Sequence, residues 1–285
     1  MKNSALLTDR YDPLEKVFFF DDFDHGLNGW TGLIGNYEDS LESVLPEFRD
    51  LRPPQLSNLT MWDTGTAGSA FGTYALKLAT RPRLGSLAVG IKRQTFRHAA
   101  RLRLEAYLTF KPEASQLRLS ALDVRAFGVA FDLQDGYGQA DGLRWMPHLR
   151  YLNAQAGERQ GRWQFKAQTR PLTDIGGTGE TQSHFHLGPE GWQDVPNAQQ
   201  LTCYNEITTK MNWSYLRVGL DLHTRTITDF QFDDHVFSGE GLGVITLPAM
   251  RNLWCMLNTL FFVETDTDQR AFLYVDSVLL SGEGA

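Results

Sequence analysis

The sequence has few cysteines, no long apolar run and no basic excess, and each shortage removes a class of protein. Two cysteines, Cys203 and Cys255, among 285 residues are too few for a disulfide-stapled framework. Both fall in strand-like stretches and are expected as buried free thiols. No apolar run approaches the roughly 18 residues that a membrane-crossing helix needs; LWCMLNTLFFV at 253–263 is short and carries Asn258. A membrane partner is therefore not expected. The opening MKNSALLTDRYDPLEK lacks the apolar core of a signal peptide, so a cytoplasmic location is expected. A net charge of −7 argues against a nucleic-acid partner, whose phosphates require a basic surface. Reaction signatures are also missing. DIGGTGE (174–180) has neither the lysine nor the flanking strand and helix of a phosphate loop, and no Gly-x-Ser-x-Gly nucleophile elbow occurs.

What remains is ordinary in composition, with 42% hydrophobic and 21% charged residues, and is dominated by a period of two. In YLRVGLDLH (215–223), Leu216, Val218, Leu220 and Leu222 share one face, because successive strand side chains point to opposite sides. Thr224-Arg225 turns the chain, and TITDFQFDDHVF returns with Thr228, Phe230 and Phe232 expected on one face. RLRLEAYLTF (101–110) predicts Leu102, Leu104, Ala106, Leu108 and Phe110 inside, with Arg103, Glu105 and Tyr107 outside. AFGVAFDLQD (126–135) predicts Phe127, Val129, Phe131 and Leu133 inside. Further strands are expected at 57–62, 74–79, 86–93, 148–154, 162–169, 182–187, 199–206, 253–264 and 271–280. Helical spacing appears once, over 38–51, interrupted by Pro46 and stopped by Pro53-Pro54. About a dozen strands separated by Gly, Pro, Asn and Asp predict an all-β, single-domain antiparallel β-sandwich of the jelly-roll kind with one short helix.

The opening FDDFDHGLNGW, the closing FLYVDSVLLS and the tryptophan-led hairpin WSYLRVGLDLHTRTITDFQFDDHVF together resemble the concanavalin A-like jelly-roll proteins, the lectin and glucanase superfamily, in what looks like a bacterial branch. The resemblance implies carbohydrate as partner. It also implies a structural Ca²⁺, with acids beside the first strand and one on the last, here Asp22, Asp24 and Asp276, supplying oxygens if the terminal strands are neighbours. The alternative is that these acids are solvated or bind backbone amides. The retaining glucanases of the superfamily carry alternating acids as Glu-x-Asp-x-x-Glu on one strand, and this chain has no such run.

The residues suggest two further constellations. HLRYLNAQ (148–155), RWQFKAQ (162–168) and HFH (184–186) place His148, Arg150, Gln164, Lys166, His184 and His186 on polar strand faces. Arg and Lys suit a carboxylated sugar, and aromatic faces stack on a pyranose; Trp145 and Trp192 are the tryptophans in loop-like settings. His184 and His186 would share a face if the strand runs through both. CYNEITTKMNW (203–213) offers Tyr204 and Glu206. A hydrolase needs two acids facing one cleft, and Glu105, Asp132 and Glu206, with His184 and His186, are the candidate acids and bases. Three readings stay open: carbohydrate recognition on the concave sheet face, a glycoside hydrolase or lyase, and a non-catalytic subunit or homo-oligomer.

Overall fold

The computed structural model of the chain describes residues 9–32, 53–58, 68–95, 99–113, 120–136, 142–168, 170–172, 183–203, 212–249 and 254–284. They form strands β1 (Lys16–Asp21), β2 (Trp30–Gly32), β3 (Gln55–Ser57), β4 (Ala75–Ala79), β5 (Leu87–Thr95), β6 (Ala99–Pro112), β7 (Val124–Gly136), β8 (Leu143–Met146), β9 (His148–Gln155) and β10 (Glu158–Lys166). They continue as β11 (Arg170–Leu172), β12 (Ser183–Phe185), β13 (Trp192–Gln199), β14 (Ser214–Asp221), β15 (Thr226–Phe232), β16 (His235–Ser238), β17 (Ile245–Pro248), β18 (Trp254–Thr265) and β19 (Ala271–Gly284). Among the described residues the only helical element is a 3-10 turn at Ala121–Asp123, and no helix is long and apolar enough to cross a membrane. The helix expected over 38–51 lies outside the described residues.

The strands pair into two antiparallel sheets of a jelly-roll sandwich. Sheet A runs β16-β15-β14-β6-β19-β4-β3, and β1 also pairs with β19. Sheet B runs β13-β10-β9-β7-β18-β5-β2, with β8 and β17 continuing from β7. Alternation makes the interior. The inward residues of β6, β14 and β15 meet those of β7, β9, β10 and β18 in one apolar cluster. Phe110 of sheet A stacks on Phe127 of sheet B with ring centres 4.9 Å apart, and Trp163 lies 5.2 Å from Phe230. Truncating such a ring costs about 3–5 kcal/mol.

The expected partnership of first and last strands holds. Along one edge β19 pairs first with β4 (Val275↔Leu76) and then with β1 (Asp21↔Val278). Between them a bulge on the β6 side spans Asp276 to Leu279, and Ser277 takes φ 51°.

Several local expectations are corrected. A bulge between Gly219 and Leu220 shifts the β14–β15 register, so Ile227 rather than Thr228 is buried beside Phe230 and Phe232. The strand expected at 199–206 is instead β13, at the edge of sheet B, where Pro196 is tolerated because an edge strand need not donate on both sides. Cys203 is exposed and Cys255 half-buried, and both are free thiols.

Candidate functional site

The outward face of β9, β10 and β13 gathers most of the polar residues singled out from the sequence. Leu149, Tyr151, Trp163 and Phe165 point into the core, so their neighbours His148, Arg150, Gln164 and Lys166 point away from it. Register aligns them in rows: Trp192 opposite Lys166, and Asp194, Gln164, Arg150, Gly128 and Phe262 across five adjacent strands. Beyond Gly128 the same face becomes apolar, with Val89, Ile91, Ala130, Leu187, Leu260 and Phe262 clustered and Trp192 packed against them. Gly128 is required there, because a Cβ would press on Arg150 Cα and the Phe262 ring, each 2.8 Å away.

Trp192 joins the two halves. The Arg150 guanidinium lies 4.2 Å from its ring centre and Lys166 Nζ 5.1 Å, both cation–π distances. Arg150 Nε donates to Gln164 Oε1 at 2.8 Å, and Nη1 reaches Glu264 at 3.3 Å. Gln164 Nε2 donates to Asp194 Oδ1 at 2.8 Å. Glu264 also meets Arg125 at 2.9 Å. Lys166 Nζ donates to two carbonyls, His186 O at 2.9 Å and Gly188 O at 2.7 Å. It thereby fixes the turn that leads, through Gly191 at φ 81°, into Trp192. A Cβ at Gly191 would lie 2.7 Å from Gln168 O, so glycine is needed to seat this tryptophan.

The electrostatics follow from enclosure. Burial, reinforced by nearby Arg150, lowers Lys166 to about 7. Burial lowers Arg150 to about 10 against the opposing pull of Glu264. Burial, then His186, pushes fully enclosed His148 well below the ordinary imidazole range. His148 Nδ1 lies 2.9 Å from Met146 O, which accepts, so Nδ1 carries the proton. Nε2 is then the acceptor for His186 Nδ1–H at 2.9 Å. For Lys166 the sign is definite. Between about 7 and its ordinary 10.5 the unfolded chain holds the proton and the folded chain does not, so stability rises with pH across that window. Lys166→Met is expected to flatten the rise, which thermal melts from pH 7 to 10.5 measure.

Other candidates fall elsewhere. Asp132 is locked to Arg144 by two hydrogen bonds of 2.7 and 2.8 Å and accepts from Asn258 at 3.3 Å. That pairing leaves it poorly placed to move protons. Trp145 is 1% exposed within the core, so it offers no face to a sugar. His184 pairs with Pro171 in the β11–β12 hairpin, and its side chain lies outside the described residues. The strand ends at Phe185, so His186 sits in a turn and meets His148 instead. Tyr204 and Glu206 lie outside the described residues. Glu105, expected at the surface, is fully enclosed on the outward face of sheet A. Its Oε1 accepts from Asp12 N at 2.7 Å and from the Tyr215 hydroxyl at 2.5 Å, and burial pushes its carboxyl upward. It therefore shares no cleft with Lys166.

The terminal acids hold backbone. Asp276 Oδ2 accepts from Ala70 N at 2.8 Å and Phe71 N at 2.9 Å; Asp24 Oδ1 accepts from Thr73 N at 2.7 Å and Tyr74 N at 3.0 Å. Asp22 Oδ1 accepts from Asp24 N at 3.2 Å. Asp24 and Asp276 pin the segment leading into β4, and Asp22 closes a local turn. One oxygen of each acid is thus spent on backbone N–H groups, and the described residues hold no group of three metal-ligating side chains. Burial raises Asp276 to about 6, so its contribution is present below pH 3.8 and lost as pH rises through 6. Asp276→Asn, which keeps an acceptor for both amides, is expected to leave the melting temperature at pH 7 unchanged or higher and to flatten that slope. Asp276→Ala, which orphans them, is expected to cost about 1–3 kcal/mol.

Sequence reading missed Glu264, Asp194 and Arg125 around Arg150, and Tyr215 and Arg217 around Glu105. Glu264 was legible as the one acid in the outward alternation of LFFVET; the others needed the cross-strand register.

The model for the family described as "Domain of unknown function (DUF6772)" matches residues 1–284. The chain belongs to the DUF6772 family. No curated protein matches this DUF6772 chain. Among solved structures it is similar to the β-glucanase of Bacillus licheniformis, at 12% identity over 93% of this chain and 98% of that one, with a TM-score of 0.37. It is similar to a variant of alginate lyase Aly36B in complex with alginate tetrasaccharide, at 12% identity over 82% and 98%, TM-score 0.39. It is also similar to the carbohydrate recognition domain of Emp47p, at 11% identity over 96% and 100%, TM-score 0.37. At such identities and TM-scores these likenesses assign nothing to the DUF6772 chain.

Proposed function

We propose that this protein binds an acidic carbohydrate on the outward face of sheet B, at the edge marked by Trp192. The observation that carries the reading is the partly buried Trp192 indole at the sheet edge, with the Arg150 guanidinium against it and the enclosed Lys166 behind. An indole face stacks on a pyranose ring, and a guanidinium fork matches a carboxylate. Lys166 forms no ion pair among the described residues, its contacts being carbonyls of the 186–188 turn. Asp194 and Arg162, partly exposed beside Trp192, extend the polar rim for hydroxyl groups. Calorimetry with galacturonate and galactose oligosaccharides tests it: the charged series is expected to bind, and Trp192→Ala to weaken binding by about 2 kcal/mol or more, the scale of a central tryptophan anchor. No saccharide binding at millimolar concentration would end the proposal.

The enzymatic alternative narrows to a lyase. Asp132 and Glu264 are each held by arginine, so on this face no pair of unengaged acids among the described residues stands in for the two carboxylates of a hydrolase. A lysine lowered to about 7 beside an arginine has the pKa for removing a proton next to a neutralised carboxylate, and would act only if the 186–188 turn that now encloses it opened. Appearance of an unsaturated, ultraviolet-absorbing product from a uronate polymer, lost in Lys166→Ala, would favour this reading. For calcium at Asp22, Asp24 and Asp276, the expected result is no change in melting temperature on adding Ca²⁺ or chelator. A rise of several degrees would place the ion there.

A further inference from the structure

The outward face of sheet A carries a second constellation, built from three strands and covered by the segment 9–15. Arg103, Glu105 and Tyr107 alternate outward on β6. Tyr215 lies opposite Tyr107 on β14, Arg217 opposite Glu105, and Asp229 follows on β15. The tyrosine rings are 5.5 Å apart, and Phe71 meets Tyr107 edge-on at 4.8 Å.

Asp12 sits over this face in a particular way. Its carboxylate Oδ2 is 2.5 Å from Arg103 Nη1 and 3.8 Å from Arg217 Nη1. Its backbone N–H donates to Glu105 Oε1 at 2.7 Å, and its carbonyl accepts from Arg103. The remainder of the segment is anchored independently, by the Tyr11 hydroxyl on Ser277 O at 2.7 Å and Leu14 N on Ser281 Oγ at 2.9 Å. The Asp12 side chain is nonetheless 73% exposed, so solutes reach it. Beneath it the second oxygen of Glu105, on a residue with no exposed surface, has no hydrogen-bond partner among the described residues, and neither does Arg217 Nε. Such enclosed polar groups are out of balance for a purely structural face.

We propose that this face is a carboxylate-binding site which the chain's own Asp12 occupies in cis, and that its ligand is a small acid with a hydroxyl on the carbon two removed from the carboxyl carbon. The class follows from what Asp12 presents: a carboxylate to two arginines and, three bonds from the carboxyl carbon, an N–H to Glu105. In a hexuronic acid the 4-hydroxyl stands in that relation to the carboxylate; the backbone N–H of residue 12 keeps Glu105 Oε1, so the sugar acid sets its carboxylate on the two arginines and its hydroxyl toward the unpartnered Oε2. Asp12 competes as a tethered ligand, and its removal raises apparent affinity by whatever fraction of sites it had closed.

The test is calorimetric titration of D-galacturonate into the full chain and into Asp12→Ala, with D-galactose and acetate as comparators. Galacturonate is expected to bind Asp12→Ala at least tenfold more tightly than the parent chain, acetate more weakly than galacturonate, and galactose not at all. Adding Arg217→Ala is expected to abolish the gain. Asp12→Ser repeats the experiment should the alanine variant fold poorly. Equal affinity for Asp12→Ala and the parent chain, or binding indifferent to Arg217, overturns the proposal. Galactose binding as well as galacturonate overturns the ligand class.

Discussion

Asp21→Ala is expected to lower the unfolding free energy by about 3–5 kcal/mol, the usual result of removing one partner of a buried ion pair. Asp21 ends β1 facing inward. Its Oδ2 accepts from Lys92 Nζ at 2.7 Å and from the Trp30 indole N–H at 2.9 Å. Lys92 also donates to Asn28 O at 2.6 Å and lies 4.5 Å from the Phe19 ring centre. The pair ties three strands, β1 in sheet A with β2 and β5 in sheet B, and so clasps the two layers where the chain begins. Without the carboxylate an enclosed ammonium loses its counter-charge. The corresponding fall in melting temperature is on the order of 10 °C. Lys92→Met together with Asp21→Ala should recover most of the loss, because an apolar replacement of both partners leaves no uncompensated charge. Chemical denaturation of the three variants decides it; a single-mutant cost below about 1 kcal/mol would remove the clasp.

Arg150→Lys is expected to reduce affinity for an acidic oligosaccharide by about tenfold to a hundredfold, corresponding to the roughly 1.5–3 kcal/mol of a charged hydrogen bond. The lysine keeps the positive charge near Glu264, so the fold is expected to survive. What it lacks is the planar fork that reaches Gln164 and Glu264 while stacking on Trp192. Affinity for neutral sugars should change little. Equal losses for charged and neutral ligands would show that Arg150 only props the indole.

The architecture was legible because alternation is a local signal that burial enforces. Leu216, Val218, Leu220 and Leu222 all face the core as the period of two requires. Register shifts were not legible: the bulge after Gly219 turns Ile227 inward in place of Thr228, and no sequence period marks it. β13 was misplaced because WQDVPNAQ has only Val195 and Ala198 buried, too few for a pattern. At the site, His148, Arg150, Gln164 and Lys166 were found because they alternate with core residues on neighbouring strands. His186 was named with them, but its pairing with His148, 38 residues away, was not legible, nor was Glu264, 114 residues from Arg150. Glu105 misled for a related reason: its outward position was read correctly, but the segment that covers it lies 93 residues earlier.

The most direct measurement is hydrogen exchange of the intact chain with and without a saturating galacturonate oligosaccharide. Slower exchange is predicted at 148–150, 164–168 and 186–194, with galactose oligosaccharide giving none. Protection absent from those three segments, or found only at 9–15, 103–107 and 215–217, would contradict the assignment of the Trp192 face.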